Sequence, residues 1–451
     1  TTTAVYEIST DLPINVDKDT RFHIYTGTCS NLLCVGGDDD SGSGYLSFEQ
    51  IELIANTPYY IVFDNRWTAD GFDFTIEETT INLSQQVNFS QVNLTNTSGH
   101  LLAATDMNND GLDDIVQLEG SSIQIRHQAP GDTSFGAVAS YPVSIQHLPT
   151  WRFNDIVSGG GNGATLILSA TGGTTFTTYS PSNYIFSQRT NMVDINNDGE
   201  LDAFVCHDVA PNTYMINNGD NTFTFNQGGI GDHPNGGNYG SIWVDYDNDN
   251  LPDLFLAKCR GGDSTAKLNQ LLKNNGDGTF TEVSIEANMN HPNQTWSSAW
   301  GDYDNDGYMD AFIGVSSLAD GGHLMMHNNG DGTFTDIFTQ TNLSNNSFMN
   351  HEFVAADMNN DGWIDIFTGA NGIYYNNGNG TFSGIATSAN AGALADLNND
   401  GFIDVFSSNK IFYNQGNNNN WLKIKLIGTE SNINGIGARI EIYADNEDST
   451  W

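Results

Sequence analysis

One nine-residue pattern, Asp-x-(Asp/Asn)-x-Asp-(Gly/Asn)-x-x-Asp, occurs six times, starting at Asp106, Asp194, Asp245, Asp302, Asp357 and Asp396. Such a repeat constrains the fold strongly, because each copy has to be one supersecondary unit that buries its apolar face against its neighbours. Each copy runs into a short apolar stretch: Ile115-Val116, Ala203-Phe204-Val205, Leu254-Phe255-Leu256, Ala311-Phe312-Ile313, Ile366-Phe367 and Val405-Phe406. Brief runs rich in β-branched and aromatic residues read as strands. A second element recurs downstream, at Asn217 to Phe223, Asn274 to Phe280, Asn328 to Phe334 and Asn376 to Phe382. Its Asn-Gly and Asp-Gly pairs followed by Thr-Phe signal tight hairpin turns entering a strand. Loop, strand, hairpin and strand together are the content of a propeller blade, so the fold class is all-β.

The last Asp of each loop counts the blades. Steps of 51, 57, 55 and 39 residues separate Asp202, Asp253, Asp310, Asp365 and Asp404, but Asp114 to Asp202 spans 88. Within that gap Asn154-Asp155-Ile156-Val157 copies the end of the first repeat, Asp114-Ile115-Val116. Placing a blade at Asp155 divides the gap into 41 and 47 residues and gives a seven-bladed β-propeller. The ligand positions of that degenerate loop would be His147, Pro149 and Trp151, so it is expected to hold no metal.

Alternate oxygen-bearing side chains in a tight loop converge on one point, and glycine at the sixth position permits the turn. In the first loop Asp106, Asn108 and Asp110 supply side-chain oxygens, Leu112 its backbone carbonyl, and Asp114 closes the site. The second loop offers Asp194, Asn196, Asp198, Glu200 and Asp202, and the third Asp245, Asp247, Asp249, Leu251 and Asp253. The fourth offers Asp302, Asp304, Asp306, Tyr308 and Asp310. The fifth offers Asp357, Asn359, Asp361, Trp363 and Asp365, and the sixth Asp396, Asn398, Asp400, Phe402 and Asp404. Hard oxygen donors with flexible geometry suit Ca²⁺, whereas Mg²⁺ demands a tighter octahedron. No His or Cys occupies one of these positions, which argues against zinc. An EF-hand loop starts alike but needs a bidentate acid at position twelve. That position holds Gln117, Val205, Leu256, Ile313, Thr368 and Ser407, so the EF-hand reading fails.

Charge supports metal binding. The chain carries 14 Lys and Arg against 55 Asp and Glu, a net charge of −41. Of the acidic residues, 22 lie in the six loops, and six Ca²⁺ ions would move the net charge to −29. Metal-free loops would set several carboxylates against one another, so calcium is expected to contribute to folding. So acidic a chain lacks the basic patches that nucleic acid or an anionic membrane requires. No apolar stretch reaches the roughly 18 residues of a spanning helix. The chain begins at Thr1 without a basic n-region or apolar h-region, so any signal peptide is expected to have been removed, and it ends at Trp451 in a strand-like stretch, as a segment of a longer polypeptide would.

The region before about Thr80 alternates apolar and polar residues, as in Phe22-His23-Ile24-Tyr25, and reads as a small β-sandwich. Residues 81 to 100 read either as a linker or as a strand completing the last blade. Four cysteines are few. Cys29 and Cys34 are expected to close a short disulfide loop in an oxidising compartment, since no second Cys or His pair lies near for zinc. Cys206 and Cys259, at even offsets from Asp202 and Asp253, are expected to pair across neighbouring blades if their strands are regular.

The repeats resemble FG-GAP/VCBS repeats, as in integrin α-chain propellers and many bacterial surface proteins, over roughly Gly99 to Trp421. That resemblance implies a calcium-binding propeller presenting a glycan or protein ligand site on its loop face. The stretch Asn418-Asn419-Asn420-Trp421-Leu422-Lys423-Ile424, with Gly428-Thr429-Glu430-Ser431-Asn432 and Gly435-Ile436-Gly437-Ala438-Arg439, is similar to the start of an ASPIC/UnbV domain. The N-terminal segment is similar to pre-peptidase C-terminal-type sandwiches. Together they imply domains at 1–80, 81–420 and 421–451, and an extracellular or cell-surface protein of a Bacteroidetes-like bacterium, exported by type IX secretion.

Two function classes follow. One is a non-catalytic adhesion or carbohydrate-binding module. The other is a polysaccharide lyase or hydrolase on the same scaffold, which would need a converging acid/base pair. His207, Lys258, Arg260 and Lys267, with Asp263 and His323, are the candidates for that pair, against a reading as ordinary loop residues. Trp243, Trp296, Trp300 and Trp363 are candidates either to stack on sugars or to pack between blades. No Ser-His-Asp, phosphate-loop or dinucleotide signature is present.

Overall fold

Strands that start at the last Asp of a loop are buried along their whole length in Asp202–His207, Asp253–Lys258 and Asp310–Val315. A strand with no solvated face has to be covered by other sheets on both sides, and its continuous apolar run reflects that.

The computed structural model describes residues 4–15, 18–28, 31–38, 45–53, 57–64, 72–79, 87–94, 101–108, 110–119, 122–129, 135–142, 156–160, 163–170, 175–220, 222–263, 265–315, 321–343, 353–368, 372–389, 392–407, 409–424, 426 and 440. Among them no α-helix occurs, only strands and short 3₁₀ turns such as Pro13–Asn15 and Phe338–Gln340. They fall into two compact units. One comprises residues 1–142, 293–327 and 335–423, and the other 143–292, 328–334 and 424–451.

Sheets follow one another in chain order, and each joins neighbouring strands antiparallel. Leu101–Thr105, Asp114–Glu119, Ser122–Arg126 and Ala139–Pro142 form the first of the four-stranded sheets. The next begin at Ser187–Val193, Asn238–Val244, Thr295–Gly301 and Val354–Ala356, each continued by its three following strands. A three-stranded sheet, Ile156–Gly160, Gly163–Ala170 and Thr175–Tyr179, lies between the first and second in sequence. The final sheet takes Ala393–Ala395, Asp404–Ser407 and Lys410–Asn414 from the end of the repeat region and its fourth strand, Phe89–Asn93, from before the first repeat. The segment 81–100 therefore contributes a strand rather than only a linker. Asn217, Asn274 and Asn376 face Phe223, Phe280 and Phe382 across hairpins, as the Asn-Gly turns require. Ahead of the repeats, two three-stranded sheets share an apolar cluster of Ile8, Phe22 and Ile24.

Within the second unit, Phe204 and Cys206 pack against Leu254 and Leu256 of the next sheet. This arrangement explains why Cys206 is a buried thiol and forms no bridge with Cys259. Stacked sheets meet through opposite faces, so residues of equal parity in successive sheets point the same way and not toward each other. Asp253–Lys258 also ends one residue short of Cys259, whose N–H bonds the Gly237 carbonyl at 2.8 Å. Burial pushes the Cys206 thiol up to about 11. Cys34 is exposed with a free thiol, and Cys29 lies outside the described residues.

In the first unit the core between sheets contains Ala299, Phe312, Phe353, Ile366 and Tyr374. Phe353 meets Phe312 edge-on at 5.0 Å and fills the place where Gly314 lacks a side chain: a Cβ there would lie 2.1 Å from the Phe353 ring. Gly314→Ala should therefore overpack this interface and cost about 1–3 kcal/mol, read from denaturant unfolding. An unchanged midpoint would mean that the ring moves aside freely.

Candidate metal centres

All six loops share one hydrogen-bond scheme. The carboxylate at the first position accepts the N–H groups of the fifth and sixth residues, for example Asp194 from Asp198 at 3.0 Å and Gly199 at 2.8 Å. Asp106, Asp245, Asp302, Asp357 and Asp396 do the same. The fifth-position Asp accepts the N–H of the seventh residue, as in Asp110 from Leu112, Asp198 from Glu200 and Asp306 from Tyr308. Asp249, Asp361 and Asp400 repeat this with Leu251, Trp363 and Phe402. The backbone has to reverse twice to allow it. Asn197, Asn248, Asn305, Asn360 and Asn399, all at the fourth position, have φ between 56° and 59°. The sixth position is again left-handed, at Gly199, Gly307, Gly362 and Gly401, and at Asn250 with φ 67°. Asparagine is among the few non-glycine residues that adopt this region readily. An asparagine at the fourth position of every loop was the available sequence signal for this turn.

The ninth-position Asp ties the loop to its sheet. Asp114, Asp202, Asp253, Asp310, Asp365 and Asp404 are all buried. Each accepts the N–H of its loop's second residue: Met107, Ile195, Tyr246, Tyr303, Met358 and Leu397. In five loops the other oxygen accepts an N–H from the end of the sheet's third strand: Gln128, Asn217, Asn274, Asn376 or Asn414. That asparagine also reaches the preceding loop. Asn328, Asn376 and Asn414 donate from Nδ2 to the carbonyls of Tyr246, Tyr303 and Met358 at 2.7, 2.7 and 2.8 Å. Asn305 and Asn360 likewise donate to Gly362 and Gly401 of the following loops.

Basic side chains enter three loops from the residue just before this third-strand position. His127 Nδ1 lies 2.9 Å from Asp114, and Lys273 bonds Asp247 and Asp249, the latter at 2.7 Å. His327 Nδ1 lies 3.3 Å from Asp304 and 3.2 Å from Asp310. Their distance from the loops in sequence concealed them. His327 also brings an imidazole to Asp304 and Asp306, where no loop position carries one.

Burial dominates the electrostatics. It pushes Asp202 and Asp253 up to about 7 and Asp404 up to about 8, against the backbone hydrogen bonds that favour their ionised forms. It drives Asp365 well above the usual carboxylate range and raises Asp114 despite the His127 contact. The first-position groups Asp194, Asp245, Asp302, Asp357 and Asp396 are raised by burial as well. At Lys273 burial pulls the ammonium down, but Asp247 and Asp249 outweigh it and hold it above the ordinary lysine value.

These donors fit a hard cation. Carboxylate oxygens of Asp245, Asp247 and Asp253 lie within 4.8 Å of one another, as do those of Asp302, Asp304 and Asp310. Asp247 Oδ1 is buried without a hydrogen-bond partner, as expected of an oxygen reserved for an ion. Where an ion binds, it supplies positive charge that relieves the carboxylate repulsion. The loop expected at Asp155, with His147, Pro149 and Trp151, lies outside the described residues.

Several of the candidate catalytic residues are engaged within the fold. Lys258 is 1% exposed and bonds Asn238 Oδ1, and His207 is buried. His323 is buried and packs on Phe312 and Phe353. Asp263 is occupied by Asn235 and Thr265. Trp243 packs edge-on against Phe204 and Phe280 in the core, Trp300 is buried, and Trp363 lies over Gly378.

The profile of the FG-GAP-like repeat family matches residues 194–256, 245–313, 315–368 and 357–407, so the chain carries FG-GAP-like repeats there. Among solved structures the chain is similar to a lectin of Agrocybe aegerita, described for specific recognition of non-reducing terminal N-acetylglucosamine. That match has a TM-score of 0.41 and 17% identity, over 91% of this chain and 99% of that one. It is also similar to Sqt1 of Saccharomyces cerevisiae, with a TM-score of 0.45 and 10% identity over 71% and 83%. No curated protein matches. Among the described residues no helix is long and apolar enough to cross a membrane.

Two outcomes are expected. Asn376→Ala removes donors to two carbonyls and the acceptor for Gly378, and should cost about 2–4 kcal/mol, with the exposed Asn377→Ala below about 1 kcal/mol in the same denaturation assay. The pH dependence of the metal-free protein follows from the raised carboxylates. Their contribution is fully present below the unfolded value near 4 and is lost as pH rises through about 7 to 8. Its melting temperature in chelator should fall from about pH 4 toward about pH 8, and a rise over that interval would contradict the assignment.

Proposed function

We propose that the protein is a secreted or cell-surface calcium-binding β-propeller of seven blades that acts as an adhesion or carbohydrate- or protein-binding module. The observation that carries the calcium reading is the clustering of carboxylate oxygens in the third and fourth loops, within a hydrogen-bond scheme that all six loops share, together with the unpartnered Asp247 Oδ1. Calcium is chosen over smaller cations because these hard oxygen donors sit on a flexible loop. The ligands are those of the first, third, fifth, seventh and ninth positions, with about six ions in all, one per complete loop. Support for the propeller comes from seven successive antiparallel sheets among the described residues between 89 and 414 and from the strand Phe89–Asn93 that completes the last. On this reading residues 1–80 are a β-sandwich, 81–420 the propeller and 421–451 the start of an ASPIC/UnbV-like domain. The FG-GAP-like repeats favour a binding role, with a glycan or protein ligand held at the loop face.

A glycan array probed with and without calcium, alongside thermal melts, tests this. Each ion at a hundredfold excess over its Kd stabilises by about 2.7 kcal/mol, so verified chelation should lower the melting temperature clearly and abolish ligand capture. Unchanged melting and capture after metal removal would leave the loops as turns only.

A further inference from the structure

In four loops the third position is an asparagine that donates from Nδ2 to the outer oxygen of the fifth-position Asp. These bonds are Asn108 to Asp110 at 3.0 Å, Asn196 to Asp198 at 2.9 Å, Asn359 to Asp361 at 3.0 Å and Asn398 to Asp400 at 2.7 Å. The third loop has Asp247 there, which lacks a donor and would repel Asp249. Lys273 supplies what is missing, for its ammonium bonds Oδ2 of both Asp247 and Asp249. Neutral residues, Ile216, Tyr375 and Tyr413, stand at the matching place in three of the asparagine-containing loops. The fourth loop, which also has an aspartate at this position, receives His327 against Asp304. Both loops with the extra carboxylate are thus met by a basic side chain from the third strand.

The lysine approaches from outside. It engages the Oδ2 atoms and leaves Oδ1 of Asp247 buried and unpartnered, while the Asp247 carboxylate clusters with those of Asp245 and Asp253. We propose that Lys273 is a tethered counter-ion that holds the third loop in its binding shape when no metal is present, an inference that rests on the calcium reading above. Four carboxylates, Asp245, Asp247, Asp249 and Asp253, line this loop, and one ammonium relieves part of their repulsion in the metal-free state. Once a divalent cation enters, the same positive charge opposes it. Lys273 therefore orders the empty loop and weakens calcium binding there, which makes the third loop the least metal-dependent of those with four carboxylates.

Melting temperatures of the native protein, Lys273→Met and the double variant Asp247→Asn/Lys273→Met, each in EDTA and in millimolar calcium, test this. Lys273→Met should melt roughly 2 °C lower in EDTA, as suits a partly exposed pair, yet match or exceed the native protein in calcium. The double variant should recover the native EDTA value, because the amide introduced by Asp247→Asn can donate to Asp249 as asparagine does in the other loops. An equal loss in both media would reduce Lys273 to ordinary packing and overturn the proposal, as would an unchanged EDTA melt or a double variant no better than the single one. Calcium shifting none of the three would remove the calcium reading, and this proposal with it.

Discussion

A buried carboxylate at the head of a strand organises each repeat. Asp404, for example, takes one N–H from Leu397 in its own loop and another from Asn414 at the end of the third strand. One side chain thereby joins loop, second strand and third strand, and its burial means that these bonds cannot be replaced by water. Asn414 then donates to Met358 of the preceding loop, which extends the tie from one sheet to the next. The loops are accordingly part of the packing between sheets, not appendages to it.

The same carboxylate would gain from a cation beside it. Burial penalises its charge, and the neighbouring acids penalise it further, as at Asp253, where Asp247 and Asp249 add to the cost. A cation converts that repulsion into attraction, and the tie between sheets then carries the effect beyond the loop. The third loop solves part of the problem internally with Lys273, whereas the asparagine-containing loops place an amide donor beside the fifth-position Asp in place of a third-position carboxylate. Metal dependence should therefore be graded around the repeats.

The loops, the strands after them and the Asn-Gly hairpins were legible in the sequence because each depends on residues adjacent in the chain. An asparagine stands at the fourth position of every copy and is left-handed in the five described ones, but its role is conformational and no ligand pattern points to it. His127, Lys273 and His327 were not legible, since they approach from more than ten residues away, Lys273 and His327 from a strand and His127 from just beyond one. The expected Cys206–Cys259 bridge failed for a different reason. Equal parity places two residues on the same face of successive sheets, whereas contact requires opposite faces, as Cys206 and Leu256 illustrate. Lys258 read as a loop cation and is a buried strand residue, because its strand extends further than the apolar run suggested.

The most direct test of this account is an anomalous difference map from crystals grown in calcium and soaked with a lanthanide. The account predicts a peak inside the Asp loops, framed by the first-, third- and fifth-position side chains and the seventh carbonyl, with the ninth-position Asp at its base. Loops free of anomalous density, with their carboxylates bonded only to protein, would contradict it.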